Sequence, residues 1–150
     1  MGKFSALVKF AAVAGPAVVK VVQKYGPTLT ELRKSNPEVF DAVQNQVRKM
    51  AEARKAGKSP EVLHRRIAAL RDQVAYLRQS ADDEGERQRA EDWRVKLDKI
   101  EASLPLLSAM SSKAAARERA HIDARIDELS SEILSAYIDE QEEDARQLES

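Results

Sequence analysis

Three stretches of this chain carry apolar residues at alternating spacings of four and three, and that spacing constrains the fold more than any other feature. Leu63, Ile67, Leu70, Val74, Leu77 and Ala81 form the first run. Trp93, Leu97, Ile100, Leu104 and Leu107 form the second, and Ile122, Ile126, Leu129, Ile133 and Ala136 form the third. A helix turns once in about 3.6 residues, so each run lies along one side of a helix. Arg65, Arg66, Arg71 and Arg78 flank the first seam. Narrow apolar seams bordered by charge belong to helices that pack on one another. Charged residues make up 33% of the chain and aromatics only 5%, which suits thin helical layers better than a thick core. The expected fold is all-α: an amphipathic N-terminal helical segment followed by an antiparallel helical bundle or coiled-coil hairpin.

Leu77 and Trp93 stand 16 residues apart, which is not a whole number of heptads. The intervening "DDEGERQRAED" is almost free of apolar residues. A turn near Asp83–Gly85 would fold the first two seams against each other; a continuous helix with a stutter is the rival. Pro105 should end or kink the second helix near Ser103 or Leu104. Ser111 or Ser112 can cap the last helix, with Tyr137 and Leu148 extending its contacts and the acidic end fraying.

Upstream, Ser59 and Pro60 mark the clearest boundary, as N-cap and first helical residue. Phe40, Val43, Val47 and Met50 give a further stripe after Asn36-Pro37. Gly26 is a candidate left-handed C-cap, and Thr28 with Glu31 has capping-box spacing. The chain thus divides into residues 1–26, a basic amphipathic segment; 27–60, short helices and a basic linker; and 61–150, the helical bundle or coiled-coil domain with its acidic tail.

The first segment is the most apolar. Lys9 and Lys20 interrupt it, leaving ten uncharged residues between them, whereas a single-helix span needs roughly 20. The valines and lysine after Gly15-Pro16 continue the helical pattern, which argues against a cleaved leader. The acylation pattern beginning at Gly2 fails at Ala6. On a helix, Phe4, Leu7, Val8, Ala11, Val18, Val22 and Tyr25 share one broad face, while Lys9, Lys20 and Lys24 fall opposite. Pro16 should kink that helix near Gly15. Such a face suits either an anionic membrane surface or a groove in a protein.

Charge is segregated along the chain. Residues 1–60 hold eleven Lys or Arg against four Asp or Glu, residues 61–100 nine of each, and residues 101–150 five against twelve. The two ends can attract separate partners or each other.

Patterns that would carry chemistry are sparse. There is no cysteine, which excludes disulfides, cysteine-ligated zinc and a thiol nucleophile. Glu61 precedes His64 by three residues, and Glu118 precedes His121 likewise, a spacing shared with di-iron bundles. Both pairs sit beside the seams, which offer no inward glutamate, so helix-surface histidines are expected. Asp82, Asp83, Glu84 and Glu86 lack calcium-loop spacing and read as a solvated turn. Ser108, Ser111 and Ser112 read as caps and linker polarity. The stretch containing Arg48, Lys49, Arg54, Lys55, Lys58, Arg65 and Arg66 could neutralise phosphates, but it has no aromatic stacking residue and is broken by Gly57 and Pro60.

These features point away from an enzyme and imply neither cofactor nor metal. The sharpest expectation is a cytoplasmic scaffold or adaptor held at the inner face of an anionic membrane. Its contact residues would be Phe4, Leu7, Lys9, Val18, Lys20, Val22 and Lys24. Helix packing would rest on Leu63, Ile67, Leu70, Val74, Leu77, Trp93, Leu97, Ile100, Ile122, Ile126, Leu129 and Ile133. The alternatives are a soluble, self-assembling helical protein or protein-interaction module and, third, a nucleic-acid-associated accessory protein.

Overall fold

The computed structural model describes the backbone of residues 2–149 and the side chains of residues 5–147. The side chains of Phe4 and Leu148 therefore lie outside the described residues. The chain is all-α, and no strand occurs among the described residues. Seven α-helices follow in order: α1 (Gly2–Ala14), α2 (Pro16–Lys24), α3 (Gly26–Ser35), α4 (Pro37–Lys55), α5 (Pro60–Gln79), α6 (Glu84–Ser103) and α7 (Ser112–Glu149). A 3₁₀ turn, Leu104–Ala109, joins α6 to α7.

Several boundaries follow from side chains named above. The Ser59 hydroxyl accepts from the Val62 amide at 3.3 Å, with Pro60 in the first turn of α5. Pro105 leaves Ser103 as the last residue of α6. Ser111 Oγ accepts from the Ala114 amide at 3.2 Å and so caps α7. Each contact supplies a partner to an amide that the first turn cannot satisfy internally.

Other boundaries differ from expectation. The turn expected near Asp83–Gly85 is present, in place of a continuous helix, but it covers residues 80–83, and Gly85 sits in the first turn of α6. Asp83 is the cap that starts α6 early: its Oδ1 accepts from the Glu86 amide at 2.8 Å, and Glu86 Oε2 accepts in turn from the Asp82 amide at 2.8 Å. Gly26 does not adopt a left-handed conformation, and Thr28 lies inside α3 without capping it. Only Tyr25, at φ −93° and ψ 10°, interrupts the helix there. Pro27 falls in the first turn of α3, where its missing N–H leaves no intrahelical bond unmade, so the helix resumes at once. The acidic end is helical to Glu149, and Ala145 is buried.

Gly15 separates α1 from α2 with φ 122° and ψ 163°, a region essentially restricted to glycine. A Cβ there would also stand 3.2 Å from Arg54 Nε. The kink expected from Pro16 is thus set by its neighbour, and it turns α1 onto α4 while α2 lies on α7.

The helix α7, with 38 residues, extends about 57 Å and is the spine of the fold. It contacts α2, α4, α5 and the 3₁₀ turn; α5 also packs on α6, and α3 on α4. All twelve packing residues named from the seams are buried, from Leu63 through Ile133. They belong to one contiguous apolar cluster that begins at Leu7 and also takes in Leu29, Phe40, Val43 and Val47. Segments 1–26, 27–60 and 61–150 therefore share a core instead of forming separate ones.

Truncating a buried Leu or Ile to Ala typically costs about 2–5 kcal/mol. L70A and I126A are each expected to lower stability by an amount in that range, measured by chemical denaturation. G15A should cost about 1–3 kcal/mol through the backbone alone, with the Arg54 contact adding to it; a wild-type midpoint for G15A would contradict the backbone geometry.

Candidate functional site

The N-terminal contact residues divide between the inside and the outside of the protein. Leu7, Val18 and Val22 are buried in the core, whereas Lys9, Lys20 and Lys24 are exposed. Of the apolar face expected to meet a membrane or a partner, Leu7, Val18 and Val22 are covered by the protein's own α4 and α7, whereas Val8, expected on that face, is exposed. What α1 and α2 present outward is Val8 (47% exposed) and Val13 (41%), with the three lysines. No acidic residue precedes Glu31, so this outer face is basic. The Lys24 ammonium lies 5.5 Å from the centroid of the Tyr25 ring. Burial raises the Tyr25 phenol to about 12, aided by its hydrogen bond to Asp139 and that residue's charge.

The basic stretch between α4 and α5 is divided in the same way. Arg66 is only 5% exposed, and its guanidinium donates to Asp123 Oδ1 and to Asp127 Oδ1, each at 2.6 Å. Arg54 Nε donates to both carboxylate oxygens of Asp127 at 3.2 Å. The Arg54 Nη1 donates to the Val13 carbonyl at 3.3 Å, an acceptor in the last turn of α1. Lys58 completes the group, 3.8 Å from Asp123 Oδ2. These cations therefore tie α1, α4, α5 and α7 together, and they are not a free phosphate track. Lys49, Lys55 and Arg65 remain exposed, and Arg48 pairs with Glu52 at 3.5 Å.

The two histidine pairs are not brought together. His64 and His121 are both exposed, and His64 Nδ1 lies 3.7 Å from Glu101 Oε2 on α6. The cluster that does assemble is one that half of the sequence motif foreshadowed. Asp82, in the turn before α6, and Glu86, in its first turn, meet Glu140 and Glu143 of α7. One carboxylate oxygen from each lies within 4.8 Å of those of the others. Asp83 and Glu84 point elsewhere: Asp83 caps α6, and Glu84 pairs with Arg87 at 3.1 Å. Burial drives the Glu140 carboxyl up to about 7, helped by the negative charges of Asp144, Asp82, Glu86 and Glu143. Glu143 is raised as well, first by the charge of Asp82. Sequence reasoning could not find this group, because Glu140 and Glu143 are more than fifty positions away from Asp82 and look like ordinary tail acids.

A cavity of about 320 Å³ opens between α4, α5 and α7, with Met50, Leu70, Gln73, Tyr76 and Tyr137 in its wall. Gln73 donates its amide to Gln46 Oε1, while its own Oε1 is buried without a hydrogen-bond partner among the described residues. The rings of Tyr76 and Tyr137 stand 5.8 Å apart, and burial raises the Tyr137 phenol.

The Arg66 cluster makes the sharpest stability prediction. Removing one member of a buried ion pair strands the other, at a cost of about 3–5 kcal/mol. R66A should fall in that range, while R65A, at the exposed neighbouring position, should stay within about 0.5 kcal/mol of wild type. Equal melting of the two variants would show that the buried pair carries no special weight.

Comparison with protein-family models, curated proteins and solved structures found no match for this chain.

Proposed function

We propose that this chain is a non-enzymatic protein-interaction module, an antiparallel helical bundle in which the N-terminal segment is an integral layer. The burial of Leu7, Val18 and Val22 within the shared core carries this reading. Inserting those side chains into lipid would require withdrawing them from α4 and α7, so the apolar part of a membrane anchor is already committed. No helix among the described residues is long and apolar enough to cross a membrane. Side chains open to a protein partner include apolar ones at α6 and around the 3₁₀ turn. Val95 on α6, Leu106 in the 3₁₀ turn and Met110 just after it are exposed, with Leu106 the most exposed large apolar residue described, at 58%. Self-association through such a surface belongs to the same reading.

A second reading is favoured by one specific observation. Lys9, Lys20 and Lys24 are exposed, as are Val8 and Val13, and α1 and α2 carry no acidic residue. These lysines can hold the segment to an anionic surface by charge, each contributing roughly 1 kcal/mol near lipid headgroups. Such a contact would be shallow and salt-sensitive, because its main apolar residues stay in the core. The residual exposed cations on α4 and α5 leave nucleic-acid binding as the weakest reading.

One set of variants separates these readings. L7S and V18S should each cost more than about 2 kcal/mol in the soluble protein, because each removes core contacts and buries a hydroxyl. The triple change K9Q/K20Q/K24Q should leave stability within about 0.5 kcal/mol of wild type. In co-sedimentation with phosphatidylserine vesicles, the interaction-module reading expects no binding that survives high salt. Tight, salt-resistant binding that L7S or V18S abolishes without loss of fold would overturn it in favour of membrane insertion. Binding that disappears with both salt and the lysine changes would support the second reading.

A further inference from the structure

We propose that Asp82, Glu86, Glu140 and Glu143 form a Ca²⁺ site that clips the turn between α5 and α6 to α7. Their arrangement has the donor chemistry such an ion requires: four carboxylates, all oxygen, converging from the α5–α6 turn with the start of α6 and from α7. The spacing accommodates such an ion. Ca²⁺ holds its oxygens at about 2.3–2.6 Å, so opposite ligands stand about 5 Å apart. The oxygens here all lie within 4.8 Å of one another, just inside that span. Mg²⁺ demands a near-ideal octahedron, keeps several of its waters and usually takes only one or two carboxylates, so a cluster of four suits Ca²⁺ better.

Glu140 supplies an independent reason to expect a cation. It is 8% exposed as a residue, with its carboxylate oxygens not fully enclosed, and no hydrogen bond or ion pair joins it to another described residue. Buried carboxylates are ordinarily matched by a cation or by donors. The nearby arginines do not fill that role, since Arg87 pairs with Glu84 and Arg146 with Glu142. Asp82, Glu86 and Glu143 form no ion pair with a described Lys or Arg either. The same crowding that raises the Glu140 carboxyl is relieved when a divalent ion sits among the four groups.

The site is also held in shape before any ion arrives. Glu86 Oε2 accepts from the Asp82 amide and Asp83 Oδ1 from the Glu86 amide, so the turn and the first residues of α6 are fixed together. One oxygen of Glu86 remains for a ligand. Glu140 and Glu143 are three positions apart on α7, which places them on one side of that helix. Asp82, in the exposed turn, leaves an entrance.

Calorimetric titration of the chelator-treated full chain with CaCl₂, above neutral pH, tests the assignment. The expected result is saturable binding of one ion with a Kd between about 10⁻⁷ and 10⁻³ M, the range of oxygen-ligand Ca²⁺ sites. MgCl₂ should bind about tenfold more weakly or worse, given its demand for a tighter shell. E140Q/E143Q should stay helical by circular dichroism, melt no lower than wild type without Ca²⁺, and bind Ca²⁺ at least roughly tenfold more weakly through the lost ligand charge. Should that double variant fail to fold, D82N removes a ligand from the exposed turn and is expected to weaken Ca²⁺ binding in the same direction. E132Q, an exposed acid elsewhere on α7, should leave the affinity unchanged. Absence of saturable Ca²⁺ binding, unchanged affinity in folded E140Q/E143Q or D82N, or Mg²⁺ bound as tightly as Ca²⁺ would overturn the proposal.

Discussion

The buried guanidinium of Arg66, held between Asp123 and Asp127, is the constraint on which the other helix positions depend. A charge so enclosed is tolerable only when its hydrogen-bonding groups are matched. Asp123 and Asp127 are four positions apart on α7, so one face of that helix offers both acceptors to α5. Asp127 then accepts from Arg54 as well, which brings α4 to the same place. Arg54 in turn donates to the Val13 carbonyl at the end of α1. Apolar seams can slide along one another by a turn at modest cost, but a buried fork matched to two carboxylates cannot. The network thus selects one register among several that the seams alone would permit.

This arrangement gives the segregated charge of the chain a structural role. The excess of cations before residue 60 and of anions after residue 100 is partly met inside the molecule, where Arg54 and Lys58 reach carboxylates of α7. The same attraction places the basic N-terminal segment beside the acidic helix, with Tyr25 close to Asp139 and Glu142. Long-range complementarity of this kind favours docking of the two ends within one chain. It also explains how a segment with an apparently free amphipathic face is absorbed into the core: α4 and α7 together make the groove that Leu7, Val18 and Val22 fill.

The helices and their inward faces were legible because their signal is periodic and local. Leu63 to Leu77, Trp93 to Ile100 and Ile122 to Ile133 need only their own spacing to announce a buried side. Ser59 and Pro60 were readable for the same reason, since a cap acts over three residues. The partner of residues 1–26 was not, because amphipathicity reports that a face must be covered without saying by what. The roles of Arg54 and Arg66 were hidden too: within the sequence they look like members of a basic linker, and their carboxylates lie some sixty to seventy positions further on. The acidic group at Asp82 and Glu86 was visible as a turn, but the residues that complete it belong to a tail whose expected fraying gave no reason to bring them back.

The two acidic groups on α7 show what context does to identical chemistry. Near its first half, Asp123 and Asp127 face arginines from two helices, and every charge in the cluster has an opposite neighbour. Near its second half, Glu140 and Glu143 face Asp82 and Glu86, and carboxylate meets carboxylate. Packing alone does not require the second arrangement; neutral side chains at Glu140 and Glu143 would cover the same surface without repulsion. A fold that resolves one acidic face with two arginines has the means to resolve the other likewise, yet Arg87 and Arg146 are directed to Glu84 and Glu142. The stability given up at this junction is recovered when a proton or a cation enters, so the contact between the α5–α6 turn and α7 responds to solution conditions in a way that the Arg66 junction does not.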